Sequence, residues 1–509
     1  MNQIFNLPNR LWIFFFPICL GVLLFANMIH STDYYMPDEY YQIVEFAGYK
    51  LGEIPKENLA WEFQEQSRQT IQPFLFYLMA KALNIIGISA HSSHILFSKL
   101  IVALFLLIGL SRYIHKTSLL LDKSNQFKYS IFGFLFWVIP CYYFRFSQEI
   151  LAQICYLFIV EDLISNPKIN FRKLGILTGF AFIIRFQSIL SLFGVFFWLA
   201  LNYIQIQNNI WKSIAQFAIG FLAMVSLGIL VDCWFYDSFV LSFYNYFYIQ
   251  IVEKIASGFG TQPVYFYLIY LSIVLSPFVL PIIGFSLFKY PKHSRQNLIL
   301  WIVVFNFVIL SMIGHKEERF LFPILIFIPF LFFKSIELLP HTYQGFIKRL
   351  LLPILMLGNM MILIISTLMN LQILTDQDKC FQYYVLDHCQ KNNSIVLYAE
   401  DIHPFMDKVK VSKFKDTFTY NHNYIYKDVK FEKISEGSNI DSIVEKYTNV
   451  FLYLKKNRYN SIVLNKTHSK GSFHLILTSI PESLNNFLFQ YFKLNIDKQT
   501  IYLVEYKKN

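Results

Sequence analysis

Apolar residues fall along this chain in blocks long enough, or nearly long enough, to cross a bilayer, at 11–31, 94–111, 129–144, 149–164, 174–187, 188–204, 213–235, 264–288, 298–314, 320–338 and 350–370. A spanning helix needs about 20 such residues. These eleven blocks predict an all-α polytopic membrane bundle over residues 1–370. The first block follows Arg10 and lacks a small-residue cleavage site, so an anchor is expected there rather than a removed signal peptide. A further run, 71–88, would reverse the orientation of everything downstream if it crossed; it is expected to lie at the interface, inside a first non-cytosolic loop of about 32–93. From Leu371 the pattern changes to Lys, Asn, Asp and Tyr, with short strand-like runs at 394–398, 450–454 and 501–504. Residues 371–509 are therefore expected to form a small soluble α/β domain on the non-cytosolic side.

Composition agrees with the pattern. Hydrophobic residues make up 55% of the 509 and charged residues 15%, too apolar for a soluble chain of this length. The net charge of +11 does not imply nucleic acid as a partner, because the basic residues collect in short loops between apolar blocks. Arg112, Lys116, Lys123, Lys128, Lys168, Arg172, Lys173, Lys212, Lys289, Lys292, Arg295, Lys348 and Arg349 all fall on the side of the N-terminus, and the acidic loop 33–72 falls on the other. A cytosolic N-terminus follows. The six cysteines show no metal-ligand spacing, and Cys380 with Cys389 suits either a disulfide or two thiols. Asn392 and Asn465 begin Asn-x-Ser/Thr sequons, which an Asn-rich chain also produces by chance.

With this orientation the polar clusters gather on the non-cytosolic face. Asp38 and Glu39 follow Pro37 at the mouth of the first span. A carboxylate pair there can take a proton from a hydroxyl, although an acidic first helical turn also suits the helix dipole with no chemistry at all. Four formally charged residues, Lys316 to Arg319, follow His315 between two apolar blocks. Each charge costs roughly 2.5–3.5 kcal/mol at bilayer depth, so the run must form a turn or line a polar cavity. Self-paired charges in a tight turn are one reading. The other is a phosphate site at the bilayer boundary, for which the planar fork of Arg319 is suited. Arg145, Gln148 and Glu149, and Arg185 with Gln187, border apolar blocks, and structural hydrogen bonding is expected of each. Gly258 to Pro263 reads as a flexible turn without the Lys-Ser/Thr of a phosphate loop, and His91, His94 and His403 have no partner at ligand spacing.

Pro37-Asp38-Glu39-Tyr40-Tyr41-Gln42 with Trp61-Glu62, Tyr244-Asn245 with Gly260-Thr261-Gln262-Pro263, and His315-Lys316-Glu317-Glu318-Arg319-Phe320 together resemble the family 22 glycosyltransferases. These are the multi-span mannosyltransferases of glycosylphosphatidylinositol (GPI) anchor and lipid-linked oligosaccharide assembly. The Trp-Glu and Gly-Thr-Gln-Pro neighbourhoods are most similar to the GPI branch, whereas Met36 stands where the family usually has His, and Ala60 where Thr is common. The resemblance implies a GT-C fold, a polyprenyl-phosphate sugar donor such as dolichyl phosphate mannose, a glycan or glycolipid acceptor, and inverting transfer on the lumenal or periplasmic face. It implies Asp38 as general base and Glu39 as its orienting partner, with His315, Lys316, Arg319 and Arg185 on the donor phosphate. Tyr41, Gln42, Trp61, Glu62 and Glu318 would position donor or acceptor. No metal ligand or cofactor is firmly implied, and divalent-cation dependence is open. A bacterial envelope transferase using another sugar or acceptor is the first alternative. A transporter is the second, although neither repeat symmetry nor polar residues at the midplane of several spans speak for it.

Overall fold

A computed structural model describes residues 12–30, 37–89, 91–166, 168–202, 210–370, 394–399, 406–410, 417–421, 429–434, 446–447, 449–455, 459–464, 471–478 and 501–508. Cys380, Cys389, Asn392, His403 and Asn465 lie outside the described residues.

Each apolar block coincides with a helix or a broken pair of helices, from Trp12–His30 to Leu352–Asn370. Three helices are long and apolar enough on their own to cross a membrane: Ser93–Ser118, Ile210–Tyr236 and His341–Thr367. The number rises to five when two bent pairs each count as one span. Phe266–Leu275 turns by 111° into Val279–Ser286, and Glu318–Leu325 turns by 57° into Ile328–Leu338. Pro277 sits in the first break, and Pro329 begins the helix after the second. A proline offers no backbone N–H to the preceding turn and crowds its carbonyl, so the helix stops there. The 15-residue helix Ile71–Ile85 is short for a hydrocarbon core of about 30 Å at 1.5 Å per residue. It buries Ile71, Gln72, Phe76, Ala80 and Leu83 and exposes Leu78 and Ile85, so one face packs against the protein.

Small residues bring Phe171–Ile184 and Ile210–Tyr236 together. A Cβ added to Gly175 would stand 2.2 Å from the carbonyl oxygen of Phe217, and one on Gly220 would stand 2.3 Å from that of Arg172. Gly175 and Gly179 are four residues apart on one helix face, the small-xxx-small spacing that lets backbones touch. Gly175→Val should therefore push the pair apart and destabilise the fold by about 1–3 kcal/mol. Thermal unfolding of the detergent-solubilised variant would show this, and an unchanged midpoint would contradict the close approach.

The C-terminal strands are β1 (Ser394–Ala399), β2 (Met406–Lys410), β3 (Thr417–Asn421), β4 (Val429–Ile434), β5 (Asn449–Lys455), β6 (Gly471–Thr478) and β7 (Ile501–Lys508). Five make one mixed sheet in the order β4-β1-β5-β7-β6, with β1 parallel to both neighbours and β7 antiparallel to both of its own. β2 and β3 form a separate antiparallel pair. Alternation along β5 separates two faces. Val450, Leu452 and Leu454 pack with Ile395, Leu397 and Val504. Phe451 and Tyr453 join Val396 and Leu503 in a core shared with Tyr40, Tyr41, Trp61, Phe63 and Phe235. The sheet therefore packs on the segment that contains Asp38.

Candidate active site

The helix that begins at Pro37 has Asp38 and Glu39 in its first turn and passes at once into a π-helical turn, Tyr40–Val44. Such turns recur at functional sites because the extra residue re-aims the side chains around it. Asp38, Glu39, Tyr41 and Gln42 line a cavity of about 370 Å³. Trp61, Glu62 and Arg68 line it as well, as do Glu149, Arg185, His315, Glu317 and Arg319.

Arg319 joins the two sequence clusters. Its Nη2 donates to Asp38 Oδ2 at 2.7 Å, and its Nε donates to Glu317 Oε2 at 2.6 Å. Among the described residues Nη1 donates no hydrogen bond. Glu149 Oε1 lies 3.9 Å from Arg319 Nε and is itself ion-paired with Arg185 Nη1. Two guanidiniums thus approach one carboxylate oxygen, and both flank the ring of Phe320, with their Cζ atoms 5.5 Å and 5.7 Å from its centroid. Glu39 is buried, with Arg145 Nη1 3.7 Å from its carboxylate. Among the described residues no three His, Cys, Asp or Glu groups converge as a metal site; Asp38, Glu149 and Glu317 gather around a guanidinium instead.

Glu62 accepts from Gln42 Nε2 at 2.9 Å and from Arg68 Nη2 at 3.4 Å. Burial raises the pKa of this carboxyl against the opposing pull of Arg68, and the charge of Asp38 raises it further. Tyr246 accepts from Gln187 Nε2 at 2.6 Å, and the Arg68 guanidinium lies 5.6 Å from its ring. Carboxylate, amide and guanidinium groups beside Trp61 and Tyr246 provide the polar and flat apolar contacts that a sugar offers in return.

His315 bridges the Gly260 carbonyl (Nδ1, 2.9 Å) and Glu317 (Nε2, 3.0 Å). The hydrogen bond to Glu317 raises the His315 pKa, more than burial lowers it. Burial pushes Glu317 up, but the bond from His315 and the charge of Arg319 outweigh it and hold the carboxyl at about 2. The Glu317 contribution is thus present above the ordinary carboxylate range and is lost as pH falls toward about 2. The His315 charge is complete below its ordinary pKa of 6.5 and is lost as pH rises through the elevated value.

Two expected site residues lie elsewhere. Lys316 does not line the cavity: its ammonium donates to the carbonyls of Gln262 at 2.9 Å and Ile313 at 2.5 Å, and burial lowers its pKa. It ties the Gly260–Pro263 turn to the charged loop, as does the Gln262 N–H to Gly314 carbonyl bond of 2.9 Å. Glu318 is exposed and outside the cavity. In return the cavity recruits Glu149, Glu317, Arg68, Gln187 and Tyr246. Glu149 and Gln187 had a weak signal, as polar residues abutting apolar blocks; Arg68 had none beyond its charge.

This arrangement of broken helices over a loop-walled cavity is the GT-C type of membrane bundle. ArnT from Cupriavidus metallidurans, bound to undecaprenyl phosphate, superposes with a TM-score of 0.54 at 9% identity, covering 97% of this chain and 98% of that one. The model of the Alg9-like mannosyltransferase family matches residues 12–402, and the chain belongs to that family. GPI alpha-1,2-mannosyltransferase 3 of Bos taurus is 25% identical over 332 residues, covering 63% of this chain. GPI mannosyltransferase 3 of Drosophila melanogaster is also 25% identical, over 322 residues and 62% of the chain. Mannosyltransferase APTG1 of Arabidopsis thaliana matches at 25% over 330 residues and 62% of the chain. The matched stretch spans 58%, 54% and 57% of these three relatives' own lengths.

Proposed function

We propose that this protein is an inverting α-mannosyltransferase of GPI assembly in the endoplasmic reticulum membrane, which moves mannose from a polyprenyl-phosphate donor to a hydroxyl of a glycolipid acceptor at its lumenal face. The observation that supports the reading is the 2.7 Å contact between Asp38 and Arg319, a carboxylate and a guanidinium that line one cavity. The relatives' names favour the GPI branch over a bacterial envelope pathway. The chain divides into a catalytic bundle, 1–370, and a C-terminal unit, 371–509, that backs the cavity wall.

Asp38 removes the acceptor O–H proton as that oxygen bonds to the sugar C1. The bond from C1 to the phosphate oxygen breaks, and its electron pair stays on the phosphate. A leaving group that is already a stable anion needs fixed positive charge more than a general acid, and Arg319, Arg185 and His315 supply it. Glu39, held by Arg145, fixes the start of the helix that carries Asp38. Gln42, Trp61, Glu62, Arg68 and Tyr246 receive the acceptor sugar.

The test is transfer from radiolabelled dolichyl phosphate mannose to a GPI precursor glycolipid by the purified full chain. Mannose incorporation is expected; donor hydrolysis with no acceptor-dependent product would refute the reading. The same assay checks His315. The donor is a phosphodiester with no second ionisation, so affinity should fall as pH rises past the elevated His315 pKa because the protein loses charge. In His315→Gln that alkaline limb should flatten. A limb of unchanged shape would remove His315 from the phosphate site.

A further inference from the structure

The charge surrounding the two arginines bears on how the site treats its phosphate before and after transfer. Asp38 and Glu317 hydrogen-bond to Arg319, whereas the Glu149 carboxylate reaches both guanidiniums, pairing with Arg185 and lying 3.9 Å from Arg319. It is buried at 6% exposure yet lines the cavity. Its place is rigid, since it stands in the first turn of the 18-residue helix Gln148–Ser165, whose N-cap Ser147 accepts from the Ile150 N–H. The positive end of that helix favours a fixed anion there.

We propose that Glu149 is a positioning residue that sets how much negative charge the arginine pair will hold, favouring a singly charged phosphodiester over a doubly charged phosphomonoester. The inference rests on the reading of Arg185 and Arg319 as the phosphate grip. Transfer leaves the electron pair of the broken bond on a phosphate oxygen, so a donor with one negative charge becomes a polyprenyl phosphate with close to two, its second pKa being about 6. Two guanidiniums alone would hold the product more tightly than the substrate, and each turnover would end in a trapped enzyme. A buried carboxylate fixed between them repels the dianion about twice as strongly as the monoanion, because Coulomb energy scales with the product of the charges. Product leaves and the next donor enters.

The experiment measures binding of two probes to the full chain in nanodiscs, at about pH 8 where the monoester is a dianion: dolichyl phosphate and its methyl ester. In the wild type the dianion is expected to bind no more tightly than the monoanion. Glu149→Gln should tighten dolichyl phosphate roughly tenfold relative to the methyl ester, and Glu149→Asp, which keeps the charge, should hold the wild-type ratio. An unchanged ratio in Glu149→Gln, with Arg319→Lys weakening both probes, would overturn the role of Glu149 and leave the arginine grip standing. If neither Arg319→Lys nor Arg185→Lys alters either affinity, the grip itself is wrong and the inference goes with it. Should Glu149→Gln fail to fold, the wild type still decides: dianion binding several-fold tighter than monoanion binding would sink the proposal.

Discussion

Asp38→Asn should lower kcat by about 10² to 10⁴, the range a positioned carboxylate contributes as general base. The change is nearly isosteric and leaves Arg319 with Glu317 and the nearby Glu149, so the fold and the donor KM should change little. Asparagine can still accept a hydrogen bond from Arg319, but it cannot take the acceptor proton. The split between a collapsed kcat and a preserved KM is the informative readout. A matched loss of stability would mean that Asp38 serves the ion pair rather than the reaction, and full turnover would remove it as the base.

The second large effect is expected at Arg319. Arg319→Ala leaves Asp38, Glu149 and Glu317 facing one another across the space the guanidinium filled. Removing one partner of a fully buried ion pair typically costs about 3–5 kcal/mol, and the loss here should be smaller because Asp38 and Glu317 keep 31% and 27% of their side-chain exposure and water can screen them. The variant should unfold at lower temperature and lose donor binding together. Arg319→Lys separates the two losses: it restores a charge among the carboxylates but not the planar fork that a phosphate accepts. Its thermal midpoint should recover most of the way while the donor KM stays raised. If both recover, a point charge suffices and two-pronged phosphate recognition is not used.

Much of this cavity's lining is legible in the sequence, for a definable reason. Pro37-Asp38-Glu39 and His315 to Arg319 are linear runs of charge set against apolar sequence, and charge at a bilayer boundary must be accommodated visibly. Their meeting through Arg319 and Asp38 follows from folding rather than from spacing. Glu149 looked like an ordinary polar helix start, and only the approach of Arg185 and Arg319 to one of its oxygens gives it a part. Arg68 gains its place only when Glu62 and Tyr246 arrive on either side. Lys316 illustrates the opposite failure: sequence order put it in the charged run, but the direction of a side chain on a turn is fixed by backbone, and the carbonyls of Gln262 and Ile313 took its ammonium. The Asp38–Arg319 contact bears on the turn reading as well, since the self-pairing of Arg319 with Glu317 is present alongside it. At the level of elements, the apolar blocks were legible but their breaks less so. The bend after Leu275 is announced by Pro277, and the division of block 129–144 into Lys123–Phe134 and Val138–Tyr142 by Pro140, which has no N–H for the Phe136 carbonyl four residues back, although neither proline by itself fixes the angle of the break.

The position of β7 has a consequence for how the protein is made. This strand comes from near the far end of the sequence, yet it sits inside the sheet between β5 and β6, and its Leu503 shares a core with Tyr40, Tyr41 and Trp61. During synthesis the segment that holds Asp38 emerges long before the strand that backs it. Such late, sequence-distant closure is slow and leaves apolar surface open to wrong partners in the meantime. A ribosome that stalls before Ile501 would leave the wall of tyrosines and tryptophan beside Asp38 without its backing strand, an open apolar surface of the kind that chaperones bind.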